Sequence, residues 1–177
     1  MPRLKAIPKD EATGKAAELL EAVQAKMGRT PNILRTMAGS PAVLEAYLGF
    51  SGALAGGSLS PELREQIALA VGEANGCGYC VAAHAAIGKM AGLNSQQIGD
   101  SRAGHSADGK VAAALRFALE IVEKRGNVTD GDVSSLREVG YGDGEIVEIV
   151  ANVSLSIFTN YFNHIAETEI DFPALDR

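Results

Sequence analysis

The sequence predicts an all-α fold, and three observations carry that expectation. Apolar residues recur at helical spacing along almost the whole chain, no run of strict alternation marks a strand, and Ser40-Pro41 and Ser60-Pro61 each open a helical pattern. A serine cap followed by proline suits a helix start, because the hydroxyl accepts from a free backbone N–H and the first helical position needs no N–H of its own.

Taken in order, the first helix is expected from about Glu11 to Met27, with Ala16, Leu19, Leu20 and Val23 on one face and a stop at Gly28. A short helix covers Asn32 to Ala38. The helix opened by Pro41 carries Val43, Leu44, Tyr47, Leu48 and Leu54 as far as Gly56-Gly57. The next, from Pro61 to about Asn75, reads Ile67-Ala68-Leu69-Ala70-Val71 around its whole circumference, which predicts a central, buried element. Gly76 and Gly78 interrupt it, and a new helix runs from Cys80 through Met90 to Gly92. Further helices are expected near Ser95 to Asp100, Asp108 to Lys124, Thr129 to Val139 and Gly144 to Glu167. The connections are short, so the helices pack as antiparallel neighbours in a bundle of about eight. A spacing echo links Glu65 and Cys77–Cys80 to Glu148 and Asn160–Asn163, as a duplicated helical hairpin would.

The chain has 177 residues, 46 % of them hydrophobic, which suits one domain with a real core. Within it, residues 1–58 read as an N-terminal helical extension, 59–125 as the motif-bearing core and 126–177 as C-terminal helices. A formal net charge of −6 and the lack of any basic stripe argue against nucleic acid as a partner. No stretch reaches the length of a membrane span or a signal-peptide core, so the expected location is the cytoplasm, away from membranes. The 2 cysteines are spaced as Cys77-Gly78-Tyr79-Cys80, which in a reducing compartment suggests redox chemistry or metal binding more than a structural staple.

The informative segment runs from Glu65 to His84. Two cysteines separated by two residues at a helix start can close a disulfide, and the free N–H groups there favour a thiolate. Cys80 and His84 lie one turn apart on one helical face, so His84 can take the thiol proton. Glu65, on an otherwise apolar helix, can orient the imidazole and stabilise its cation. Either cysteine can be the attacking one: Cys77 gains from the helix end, Cys80 from His84.

This arrangement resembles the motif of the alkyl hydroperoxidase D-like, carboxymuconolactone decarboxylase superfamily, in which a Glu precedes Cys-x-x-Cys and a His follows. The resemblance is strongest over about Ser60 to Leu93, and the tail Asn160-Tyr161-Phe162-Asn163-His164 with Asp171-Phe172-Pro173 is similar to its peroxidase-related branch. It implies catalytic roles for Glu65, Cys77, Cys80 and His84, with Cys80 attacking peroxide and Cys77 resolving. It also implies an all-α trimer or hexamer, a hydroperoxide substrate, a protein dithiol or lipoyl reductant, and no cofactor or metal. Tyr79 stands where the family often has histidine, and reads as a pocket wall or subunit contact.

Other readings attach to the same residues. Lactone decarboxylation would use His84 and Glu65 as acid and base but has no need of a dithiol; a non-enzymatic redox sensor would be oxidised once without turnover. Zinc held by Cys77, Cys80, His84 and His164 lacks a second closely spaced ligand pair. On the last helix Asn152, Ser156, Asn160 and His164 recur every four residues, and Asn160 and His164 are expected to approach the cysteine pocket. Glu73 reads as structural and His105 as a solvated loop residue.

Overall fold

In a computed structural model, residues 1–173 are described, and among them nine α-helices follow one 3₁₀ turn at Lys9–Glu11, with no strand. They are α1 (Gly14–Met27), α2 (Asn32–Met37), α3 (Pro41–Ala55), α4 (Pro61–Ala74), α5 (Gly78–Ala91), α6 (Ser95–Arg102), α7 (Gly109–Glu123), α8 (Asp130–Glu138) and α9 (Asp143–Ala166). The expected all-α bundle is therefore present, including the short helix α2 between α1 and α3.

The local chemistry explains the boundaries. Ser60 Oγ accepts from the Leu63 N–H at 3.1 Å with Pro61 next to it, so α4 starts where the Ser-Pro pair predicts. Gly28 and Gly92 end α1 and α5 in the left-handed conformation that glycine adopts without steric cost. Helix α1 starts later than its apolar spacing suggests, because the 3₁₀ turn is followed by extended Ala12 and Thr13.

Helix α4 is the central element, packed against α5, α6, α7 and α9. Its Ile67, Leu69, Ala70 and Val71 are fully buried, as the circumferential apolar pattern requires. One core joins α4 to α7, α8 and α9 through Leu115, Ala118, Leu136, Ile149 and Val153. A second gathers α1, α2 and α3 over the start of α5, placing Leu20, Met37 and Leu44 beside Cys77, Tyr79 and Cys80. The N-terminal helices thus build one side of the cysteine environment.

Helix α9 runs unbroken through Asn160 and Asn163, so the spacing echo with Cys77–Cys80 does not mark a second helical break. Its outer face leaves Val147, Val150, Tyr161 and Ile165 exposed. No helix among the described residues is long and apolar enough to cross a membrane.

Candidate active site

The turn between α4 and α5 makes the site. Gly76, at φ +66°, lets the chain reverse, with the Gly76 N–H donating to Glu73 O at 2.9 Å and the Cys77 N–H to Gly72 O at 2.8 Å. This pair of bonds is the Schellman closure of a helix end. Cys77 is at once the last residue of that closure and the N-cap of α5, its Sγ accepting from the Cys80 N–H at 3.3 Å. Helices α4 and α5 approach closely at Gly72, where a Cβ would meet Val81 Cγ2 at 3.4 Å and Cys80 Cβ at 3.5 Å. Cys77 and Cys80 are joined in a disulfide with Cα atoms 5.3 Å apart, and both are buried.

Glu65 reaches from α4 to α5, where its Oε2 lies 2.7 Å from His84 Nδ1. That contact occupies one ring nitrogen and leaves Nε2 for other chemistry. Glu65, Cys80 and His84 line one cavity of about 310 Å³, whose remaining wall is mostly apolar: Val23, Ile33, Leu48 and Phe172 among others. The volume suits a small organic molecule.

Two residues that the sequence did not mark as site residues also shape this cavity. Asn163, buried on α9, donates from Nδ2 to Cys80 Sγ at 3.3 Å, with Cys77 Sγ at 3.9 Å, while its Oδ1 has no partner among the described residues. Tyr47 of α3 faces Glu65, and burial, followed by that carboxylate charge, pushes its phenol pKa up against a weaker opposing bond from Ser51. It therefore stays a neutral O–H.

Tyr79 is a pocket wall. Its hydroxyl accepts from the Ile33 N–H at 3.2 Å and donates to Asp171 Oδ1 at 2.8 Å, and burial drives its pKa far above the usual range. Asp171 Oδ2 in turn takes Arg29 Nη2 at 2.7 Å and the Asn32 N–H at 3.0 Å. Phe172 lies edge-on to the Tyr79 ring, 5.6 Å between centroids, and under the Arg29 guanidinium at 4.5 Å. The stretch Asp171–Phe172 is therefore strapped across the start of α2 and closes one side of the cavity.

The polar line on α9 is placed differently from its expected role. Asn160 is buried, accepts from Asn75 Nδ2 at 2.8 Å and does not line the cavity, and His164 is exposed on an outer groove. A helix turns about 100° per residue, so each four-residue step drifts by about 40° and the line leaves the buried face. Asn163, about three full turns after Asn152, stays on it. Glu73 pairs with Arg102 at 2.8 Å on the surface, and His105 is exposed. His84 in the cavity and His164 outside it do not converge as a zinc set would.

Residues 41–124 match the model of the carboxymuconolactone decarboxylase family. No curated protein sequence matches the chain. Among solved structures, an uncharacterised peroxidase-related protein from Ralstonia eutropha, described as an alkylhydroperoxidase AhpD core, superposes with a TM-score of 0.87 at 25 % identity over 96 % of this chain and 92 % of that one. A peroxidase-related protein from Silicibacter sp. gives 0.82 at 23 %, covering 94 % and 92 %. A debrominase in complex with 2,3,4-tribromopyrrole gives 0.82 at 20 %, covering 96 % and 91 %, a likeness of fold. The family match spans α3 to α7, and the helical architecture as a whole is similar to that of the alkylhydroperoxidase AhpD core.

Proposed function

We propose that the protein is a dithiol peroxidase that reduces small organic hydroperoxides through Cys80 and Cys77. The observation that carries this reading is the placement of one sulfur of a disulfide-forming pair in an apolar cavity beside a carboxylate–imidazole couple. In the reduced protein His84 takes the Cys80 proton, with Glu65 holding the ring and balancing its charge. The thiolate attacks the terminal peroxide oxygen, the O–O bond breaks, and the alkoxide leaves as alcohol with the proton returned by His84. Cys77 then attacks the Cys80 sulfenic acid, releasing water and forming the disulfide. An external dithiol reopens it. Asn163 Nδ2 supports the Cys80 thiolate, and its unpartnered Oδ1 is an acceptor for a substrate hydroxyl.

Lactone chemistry would leave the disulfide without a role. A redox sensor would share the disulfide but would not need a cavity at Cys80. Assembly into a homo-oligomer, with the exposed apolar face of α9 against a second copy, fits the same reading. The protein itself is read as cytoplasmic. The test is steady consumption of tert-butyl hydroperoxide with dihydrolipoamide as reductant, run beside Cys80→Ser. Multiple turnovers lost in the variant support the proposal; oxidation that stops after one equivalent favours the sensor.

A further inference from the structure

The two cysteines of the disulfide border different spaces. Cys80 lines the cavity that holds Glu65 and His84, and Cys77 does not. Cys77 instead lies on the floor of an open outer groove of about 590 Å³, bordered by Arg3, Gly78, His164, Glu167 and Ile170, and Cys80 does not reach it. A further shallow depression between Glu73 and Arg102 also reaches Cys77 alone. Tyr79 and Asn163 border both the cavity and the outer groove, and so form the partition between them.

This matters because thiol–disulfide exchange is directional. The attacking thiolate, the sulfur it attacks and the sulfur that leaves lie close to one line, so the open side of each sulfur decides which one is attacked. Of the two cysteines only Cys77 borders the outer groove, so a thiolate entering there attacks Cys77 and the leaving sulfur is Cys80. Both sulfurs are recessed, with Cys77 only 3 % exposed, so the visitor must be slender: a small dithiol, or one carried on a flexible arm.

We propose that the protein has two entrances, with the oxidising substrate meeting Cys80 in the cavity and the reducing dithiol attacking Cys77 from the outer groove. In the reductive step a thiolate of the dithiol bonds to Cys77 Sγ, the Cys77–Cys80 bond breaks, and the electron pair leaves on Cys80, where Asn163 Nδ2 already donates at 3.3 Å. The second thiol of the reductant then attacks its own sulfur in the mixed disulfide and releases Cys77. The reductant departs as a cyclic disulfide, having given two electrons, and its two thiol protons pass to the released cysteines or to solvent. Substrate and reductant do not compete for one opening. This inference rests on the dithiol reading of the site, but not on peroxide being the oxidant.

The test separates the two half-reactions. Ile170→Trp adds bulk at the groove, at a position that is 54 % exposed, and Gly52→Leu adds bulk at the cavity mouth, where a Cβ meets nothing within 4 Å. Reduction of the preformed disulfide by dihydrolipoamide, followed by stopped flow without any peroxide, is expected to slow by about tenfold or more in Ile170→Trp and to stay at the wild-type rate in Gly52→Leu. Oxidation of the prereduced proteins by cumene hydroperoxide is expected to show the opposite pattern. Reduction that is unchanged in Ile170→Trp, or slowed in Gly52→Leu, overturns the proposal. A failure to oxidise with any hydroperoxide would sink the peroxidase reading alone, since the reductive measurement contains none.

Discussion

The side-chain amide of Asn163 donates to Cys80 Sγ at 3.3 Å, joining the last helix to the start of α5 across the core. An amide N–H aimed at sulfur stabilises the thiolate more than the thiol, because a bond to a charged acceptor is the stronger of the two. Replacing Asn163 with leucine, close in size, is expected to leave less of Cys80 as thiolate at neutral pH and so to slow its alkylation several-fold. The pH dependence of iodoacetamide alkylation in a Cys77→Ser background measures it. An unchanged profile would remove Asn163 from the site.

Glu65 and His84 act as one unit in this account. Glu65→Gln keeps the shape and a hydrogen-bonding group but removes the charge that balances the imidazolium. Oxidation of the reduced protein by tert-butyl hydroperoxide is expected to slow by about tenfold to a thousandfold. Thermal unfolding should move little, since both side chains are partly exposed and the pair is not a core contact. Equal losses of rate and stability would mean that the couple is structural.

Tyr79 ties the Cys-x-x-Cys turn to α2 and to Asp171. Tyr79→Phe deletes the acceptor of the Ile33 N–H and the donor to Asp171, leaving the buried N–H unpaired. A destabilisation of about 1–3 kcal/mol is expected in urea unfolding. Hydrogen exchange at Ile33 should also accelerate. Retained protection there would show that the strap is held by Arg29 and Asn32 alone.

Glu148 caps the loop before α4 by accepting from the N–H groups of Ser58 and Leu59, and those bonds hold its carboxyl pKa below the usual glutamate range. A depressed folded-state pKa contributes stability that is present above the unfolded pKa and lost as pH falls through the folded one. Glu148→Gln is therefore expected to be less stable than wild type at pH 7. The difference should shrink as pH falls below 4.5, and parallel pH–stability curves would contradict the assignment.

The exposed face of α9 predicts self-association. Val147→Glu and Ile165→Glu, at positions 68 % and 63 % exposed, are expected to shift the protein to a smaller species in light scattering, with helicity intact. Identical masses for wild type and both variants would leave this face without that role.

Much of the fold was legible because its signals are local. Ser40-Pro41 and Ser60-Pro61 start helices, Gly28, Gly76 and Gly92 turn or end them, and the circumferential apolar run of α4 requires burial. The Glu65–His84 contact was legible for a related reason, since a carboxylate turned towards the interior of a largely apolar helix needs a partner. Asn163 was missed because a strict four-residue repeat selects Asn160 and His164, whereas the helical period keeps Asn163 on the buried face. The Arg29–Asp171–Tyr79 strap had no local signature: its bonds join residues 142 and 92 positions apart, and only the folded chain brings them together. Tyr47 read as an ordinary apolar-face residue of α3, and its approach to Glu65 depends on how α3 lies over α4 and α5.

The central claim is that Cys80 is the sulfur that meets the oxidant. Prereduced wild type, Cys77→Ser and Cys80→Ser proteins, each mixed with one equivalent of cumene hydroperoxide and analysed by intact and peptide mass spectrometry, test it directly. The account predicts the Cys77–Cys80 disulfide in wild type, a sulfenic acid on Cys80 in Cys77→Ser, and no rapid oxidation of Cys80→Ser. A sulfenic acid on Cys77 in Cys80→Ser, with none on Cys80 in Cys77→Ser, would contradict it.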